Sequence, residues 1–252
     1  MSDKMVNSLF NRTELLLGKD VMESIRSKRV IIFGVGGVGS WCAECLICEG
    51  IEHITLVDRD VVCITNCNRQ LMATTKTIGE PKVEALRQRL LEINPKADIL
   101  ALQKSYNEET KNDFDIETYD YVIDAIDSLR DKISLIIKTL SDSPTLFSSM
   151  GAALRINPIK VQVSEFWEVK GDPLAAAMRS AMRKHKLFPA RKFLCVHSEE
   201  TPLPNRGTAL LDGSATFNKT QTNGSLAHVT GIFGMTLAGL VIQDICQQVE
   251  SL

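Results

Sequence analysis

The stretch from Arg29 to Asp60 constrains the fold of this chain more than any other. An apolar run, Val30-Ile31-Ile32-Phe33, leads directly into Gly34-Val35-Gly36-Gly37-Val38-Gly39-Ser40, and a second apolar run, Ile54 to Val57, ends on Asp58. Gly34, Gly36 and Gly39 have the spacing G-x-G-x-x-G, in which glycines allow a tight turn, close approach of backbone to a phosphate, and close packing of the next helix on the sheet. Backbone N–H groups of the turn, Gly37 included, then face an anion at the helix start. Asp58 stands 19 residues after Gly39, where a carboxylate can accept hydrogen bonds from a ribose. Strand, glycine turn, helix and acidic strand end together predict a nucleotide-binding βαβ unit.

The rest of the chain repeats that alternation. Strands are expected at 29–33, 53–58, 98–103, 120–125, 145–149 and 160–166, and helices at 38–49, 81–93, 129–141 and from Pro173 to about Lys186. Pro81 opens one helix and Asn94-Pro95 closes it; Gly171-Asp172-Pro173 opens another. The predicted fold class is α/β: a Rossmann-like, doubly wound, mostly parallel sheet, extended by C-terminal strands and helices. With 252 residues the chain can bury one full core. A single domain is therefore expected over 1–252, with a nucleotide-binding half at 1–150 and a substrate-facing half at 151–252. Thr201 to Ser225 is rich in Thr, Gly, Asn, Ser and Pro and reads as a mobile surface loop.

A glycine turn and an Asp suit a dinucleotide as well as a mononucleotide, and the following residues separate the two. Asp60, Asn66, Arg69, Gln70 and then Lys82 add an amide, a guanidinium and an ammonium beyond the ribose strand. Several cations and donors suit a triphosphate better than a pyrophosphate already held by the turn. Tyr121-Val122-Ile123-Asp124-Ala125-Ile126-Asp127-Ser128 ends another strand with two carboxylates. Asp127, just past the strand at the mouth, is placed to hold Mg2+ against nucleotide phosphates, or to cap the following helix.

Composition narrows the setting. A net charge of −2 excludes a generally basic nucleic-acid coat but leaves room for a local patch. The segment Pro173 to Ser198 has no acidic residue and carries Arg179, Arg183, Lys184, Lys186, Arg191 and Lys192, which suits a phosphate backbone. Seven cysteines, an odd number, fit a reducing cytoplasm, and Met1 to Lys28 lacks the apolar core of a secretory signal. Cys42, Cys45 and Cys48 fall within the helix after the glycine turn and read as packing residues. Ser225 to Gln243 has no charged side chain, and a helix buried in a core is expected there rather than a membrane span.

Taken together, Gly34 to Ser40, Asp58-x-Asp60, Asn66-x-x-Arg69-Gln70, Lys82 and Asp124-Ala125-Ile126-Asp127 resemble the ubiquitin-activating-enzyme-like adenylating superfamily. Val62 to Gln70, Ile93-Asn94-Pro95 and Asp172-Pro173-Leu174-Ala175 are most similar to its tRNA threonylcarbamoyladenosine dehydratase branch. The resemblance implies ATP and Mg2+ as cofactors. The glycines and Asp58 would hold adenosine, Asn66, Arg69 and Lys82 would position phosphates, with Asp60, Gln70 and Ser128 beside them, and Asp127 would bind the metal. It further implies a homodimer in which Arg12 reaches the partner's phosphates, and a tRNA substrate for the basic segment. Cys195 falls where relatives carry a cysteine that forms a thioester or works with sulfur-transfer partner proteins; a buried structural thiol is the alternative. A second function is open on the same ATP site: adenylyl transfer to a ubiquitin-like sulfur carrier. Its usual paired Cys-x-x-Cys zinc motifs have no counterpart here, since only Cys195 and Cys246 lie beyond Cys67.

Overall fold

The computed structural model describes residues 9–208 and 223–251. Two short helices, α1 (Asn11–Leu17) and α2 (Lys19–Ser27), precede β1 (Arg29–Phe33), α3 (Gly39–Glu49), β2 (His53–Val57), α4 (Lys82–Ile93), β3 (Asp98–Leu102) and β4 (Tyr121–Asp124). Then come α5 (Leu129–Ser141), β5 (Thr145–Ser149), β6 (Val161–Glu165), α6 (Pro173–His185), β7 (Leu194–Ser198) and α7 (Ala227–Glu250). The strands form one sheet in the order β3-β2-β1-β4-β5-β7-β6. All pairs are parallel except β6–β7, which is antiparallel.

Both faces of this sheet are covered, so its central strands are apolar throughout rather than alternating. In β1, Val30 and Ile32 join a core layer with α2, α3, α4 and α7, while Ile31 and Phe33 join the layer beneath α5 and α6. The chain leaves β1 toward β2 and β3, then returns to the other side of β1 as β4. That reversal opens a crevice at the carboxyl ends of β1 and β4, where ligands of such sheets bind.

The expected elements lie where the sequence puts them, to within a residue or two at their ends, except the last helix, which is expected over 225–243 and runs on to Glu250. β7 is the addition. Its short run, Leu194-Cys195-Val196-His197-Ser198, reads in the sequence only as the border of a loop. Pairing with β5 on one side and β6 on the other makes it a strand, and puts β6 at the sheet edge. Residues 209–222 of the expected mobile loop lie outside the described residues, while its two stems are anchored. The Leu154 carbonyl accepts from the Leu203 N–H, and the Leu154 N–H donates to the Gly224 carbonyl, each at 2.9 Å.

α7 is the one helix among the described residues long and apolar enough to cross a bilayer. Here its stripe of Val229, Phe233, Leu237, Val241 and Ile245 is buried. Gly234 lets it lie directly on α3: a Cβ there would run into the Val38 carbonyl and come within 2.8 Å of the Cys42 nitrogen. Tyr121, at the start of β4, donates to Asp244 at 2.8 Å and fastens the far end of the helix.

Candidate active site

The glycine turn is built by two close approaches at the switch crevice. Gly34 has φ +85°, and a Cβ there would stand 2.7 Å from the Ala125 carbonyl, so the turn after β1 packs against the backbone after β4. At Gly39 a Cβ would run into the Gly34 carbonyl, which forces the first residue of α3 to be glycine. Ser40 Oγ donates to the Gly36 carbonyl at 2.6 Å and accepts from the Leu71 N–H at 3.2 Å, coupling the turn to the segment that carries Asn66, Arg69 and Gln70.

Asp58 accepts from the N–H groups of Val35 and Asp60, each at 2.9 Å, and so joins the turn to the end of β2. Burial pushes its carboxyl above the usual range, against the pull of the Lys82 ammonium and of those N–H donors. Lys82 opens α4 and is itself buried, with Nζ 2.9 Å from Asp60 Oδ2. Its charge therefore lies at the carboxyl end of β2, balanced by Asp60, rather than free in the crevice.

Asn66 is buried and accepts from the Cys63 N–H at 3.1 Å, closing the short 3-10 turn that presents Arg69 and Gln70. Gln70 is buried beside Gly36, and its Oε1 has no hydrogen-bond partner. Arg69 donates to the Thr65 carbonyl at 3.0 Å and to Asn68 Oδ1 at 2.9 Å. Burial lowers its basicity while the facing Asp127 carboxylate opposes that shift. Arg69 thus lies within the field of the Asp127 carboxylate. Asp127 is exposed, and the helix cap falls to Ser128, whose side chain makes no capping bond. The described residues hold no group of three or more His, Cys, Asp or Glu fit to bind a metal. A divalent ion here would take Asp127 and complete its oxygen shell from phosphates and water, as Mg2+ characteristically does.

Beneath the crevice lies a buried network that no sequence motif announces. Lys132 and Asp124 are both fully buried, 2.8 Å apart. Asp124 also accepts from Ser148 Oγ at 2.7 Å and from the Ile126 N–H at 3.2 Å, and Lys132 donates to the Ile126 carbonyl at 3.1 Å. Every bond in it fixes the three residues that precede Asp127. Cys195, on β7, is buried within reach of this pair's field; burial pushes its thiol well up and keeps it protonated. A protonated, inaccessible sulfur is not a nucleophile, so the alternative of a packing thiol is the one the environment favours.

A second buried cluster is equally silent in the sequence. Arg155 Nη2 lies 3.3 Å from Asp172 Oδ2; Asp172 accepts from the Gly151 N–H and caps α6 through the Ala175 N–H. His197, also buried, pairs with Ser164 Oγ at 3.0 Å. Asp172-Pro173 is legible as a helix start and as part of the resemblance, not as half of an ion pair. Nothing local tells Arg155 or His197 apart from surface residues.

The remaining expectations fall away from the crevice. Arg12 is exposed on α1, just after Phe10, whose ring lies close to Gly50 at the end of α3. Since α3 begins at the crevice and runs away from it for 11 residues, about 16 Å, Arg12 lies at the opposite edge from its own glycine turn. Beside it Leu15 and Leu16 are 78% and 82% exposed. Of the basic segment, Arg191 is spent on four backbone carbonyls, those of Thr139, Leu140, Asp142 and Pro144. Arg179 holds the Phe166 carbonyl at 3.0 Å. Arg183, Lys184, Lys186 and Lys192 are exposed.

Comparison with known proteins accounts for this geometry. The family model described as the ThiF family matches residues 10–251. The chain belongs to the ThiF family. It is 36% identical over 245 residues to the tRNA threonylcarbamoyladenosine dehydratase of Bacillus subtilis (strain 168), covering 96% of each chain. A more distant ThiF-family relative is the molybdopterin-synthase adenylyltransferase of Escherichia coli (strain K12), 29% identical over 75% of this chain and 72% of that one. Among solved structures, the E. coli tRNA N6-threonylcarbamoyladenosine dehydratase in complex with ATP superposes with a TM-score of 0.86 at 29% identity, covering 99% of this chain and 98% of the other. Its complex with AMP gives 0.87.

Proposed function

We propose that this chain is an ATP-dependent tRNA threonylcarbamoyladenosine dehydratase, which activates the carboxylate of that modified nucleoside and closes it into a ring with loss of water. The observation that carries the reading is the crevice itself. A turn that admits no Cβ at Gly34 or Gly39, a carboxylate fixed beside it by two N–H groups, and Arg69 within the field of Asp127 suit a nucleoside triphosphate. Gln70 lies beside Gly36 and its Oε1 has no hydrogen-bond partner, which leaves an acceptor for a ligand's donor. The relatives similar over nearly the whole chain carry this same activity.

In this reading ATP supplies the leaving group that a carboxylate lacks. The Val35 to Gly39 turn and Asp58 hold the nucleoside and its phosphates. Asn66 shapes the turn that carries Arg69, and Arg69 offsets the charge that builds when two anions meet. Such preorganised charge is worth most where water is excluded. Mg2+, held by Asp127, would neutralise phosphate charge. Lys82, paired with Asp60 at the carboxyl end of β2, favours the ionised form of Asp58, which the Val35 and Asp60 N–H groups hold in place. A carbonyl made electrophilic in this way is attacked within the same nucleoside, so cyclisation needs no second substrate and no nucleophilic cysteine.

The protein acts as a homodimer. Arg12 is too far from its own crevice to serve it, and the exposed Leu15 and Leu16 beside it offer an apolar contact to a second copy. Arg12 from one subunit then completes the other subunit's phosphate site. A cytoplasmic location follows from a tRNA substrate.

Adenylyl transfer to a sulfur carrier uses the same ATP site and is the second reading, favoured only by the more distant adenylyltransferase relatives. ATP turnover separates the two. Stimulation by tRNA bearing threonylcarbamoyladenosine, and not by a carrier protein ending in Gly-Gly, supports the dehydratase; the reverse result overturns it.

A further inference from the structure

The exposed end of α6 carries more than charge. Trp167, in the turn after β6, has the Arg183 guanidinium over its ring at 5.5 Å. Phe188 lies against the same indole, with ring centroids 6.1 Å apart at an interplanar angle of 32°. Phe188 is nonetheless 57% exposed and Leu187 43%. α6 ends on Lys186 in the left-handed region, φ +54°, a conformation that costs a non-glycine residue of order 1 kcal/mol. The Leu187 N–H donates back to the Met182 carbonyl at 2.9 Å and locks that turn, which carries Phe188 out beyond the helix. The turn caps the helix end, yet it leaves more than half of the Phe188 ring in water, where burial would have been more favourable.

Its surroundings select a ligand. Arg183, Lys184 and Lys186 are exposed on the turn that carries it, and no acidic residue occurs from Pro173 to Ser198 in a chain whose net charge is −2, the nearest in sequence to the indole being the exposed Glu168 beside Trp167. An aromatic face with a stacked guanidinium, set among lysines, is the arrangement that holds unpaired nucleobases, because every base offers a π-face and every phosphate a charge. The platform is not part of the ATP crevice. β6 runs antiparallel to β7, so Trp167 follows the end of β6 at the edge opposite the crevice, and α6 spans the 13 residues between, about 20 Å.

We propose that Phe188, backed by Trp167 and Arg183, is a stacking platform for unpaired bases of the tRNA, placed one helix length from the reacting nucleoside. This rests on the tRNA reading above, and it gives that reading a contact which the charges alone do not specify. Stacked nucleotides rise about 3.4 Å each, so a base about six positions away along a stacked strand would reach it.

The test is fluorescence anisotropy of a labelled tRNA anticodon stem-loop over a range of salt, with ATP affinity measured in parallel. Phe188→Ala is expected to weaken RNA binding about five- to a hundredfold, with the slope of log affinity against log salt unchanged. Phe188→Trp restores it. Lys184→Ala with Lys186→Ala instead flattens the slope, by about 0.7 for each phosphate that is no longer neutralised. ATP affinity stays at the wild-type value in every variant, since none touches the crevice. Wild-type RNA affinity in Phe188→Ala, in a protein that still dehydrates tRNA, overturns the platform and leaves the proposed function standing. Conversion of Phe188→Ala to a monomer overturns it too, by making the surface a subunit contact. If the wild-type protein neither binds nor dehydrates tRNA, the proposed function itself is wrong.

Discussion

Lys132 offers the sharpest separation between holding the fold and arranging the site. Its ammonium lies 2.8 Å from Asp124 Oδ2, both side chains are fully excluded from solvent, and it also donates to the Ile126 carbonyl next to Asp127. Lys132→Met keeps the length of the side chain and strands a buried carboxylate, which costs about 3–5 kcal/mol. Adding Asp124→Asn removes that charge while keeping an acceptor for the Ile126 N–H and a partner for Ser148 Oγ. Both variants leave the Asp124 and Ile126 carbonyls without the lysine donor, but only the single variant strands a charge, so the double variant is expected to regain stability over Lys132→Met by about 2 kcal/mol. Urea unfolding measures both. Activity is expected not to follow. With the turn before Asp127 untethered, kcat/KM for ATP in the tRNA-dependent reaction should stay down by about tenfold to a hundredfold in the stable double variant. A double variant with wild-type kcat/KM would refute the positioning argument, and one no more stable than Lys132→Met would refute the energetics behind it.

Three further outcomes follow from other parts of the molecule. Arg12→Ala and Asp127→Ala homodimers should each be inactive, yet mixing and exchanging them in equal amounts should restore about a quarter of wild-type activity, because half the dimers are mixed and each has one intact site; no restoration would place Arg12 outside the partner's site. Glu49, at the carboxyl end of α3, has its carboxyl pushed up by burial from 4.5 to about 6, and its Oε2 has no partner. A raised carboxyl favours the folded protein when protonated and penalises it once ionised, so stability is lost as pH climbs from 4.5 to about 6. Glu49→Gln should therefore melt higher than wild type at pH 7.5 and the same at pH 4, and a difference that persists at pH 4 would show another cause. Cys195→Ala should lower stability by about 1 kcal/mol and leave kcat near wild type; loss of turnover in the folded variant would restore the thiol to the chemistry.

How much of this is legible in the sequence depends on whether a signal is local. The glycine turn can be read because Gly34 and Gly39 are forced by contacts within one βαβ unit and its neighbouring strand, and Asp58 because a strand end has fixed direction. The pairing of Lys82 with Asp60 cannot, since the spacing of two charges does not say which of them faces the ligand. Arg191 looks like its neighbours in a charge run, but the closing turn of α5 claims it through four carbonyls. Lys132 looks like one more helix lysine until β4 and β5 enclose it. Cys195 draws its expected role from position in a resemblance, and only the pairing of β7 between two strands reveals that its sulfur is sealed in. Each miss is a contact made across the sheet between residues that no local pattern links.

In the proposed function the crevice serves dehydration of a modified tRNA nucleoside. Mass spectrometry of nucleosides, after incubating the purified protein with ATP, Mg2+ and tRNA carrying threonylcarbamoyladenosine, measures it directly. Conversion to a nucleoside lighter by one water is expected, dependent on ATP and abolished by Asp127→Ala. An unchanged nucleoside mass, from folded protein that binds both ATP and the tRNA, would contradict it.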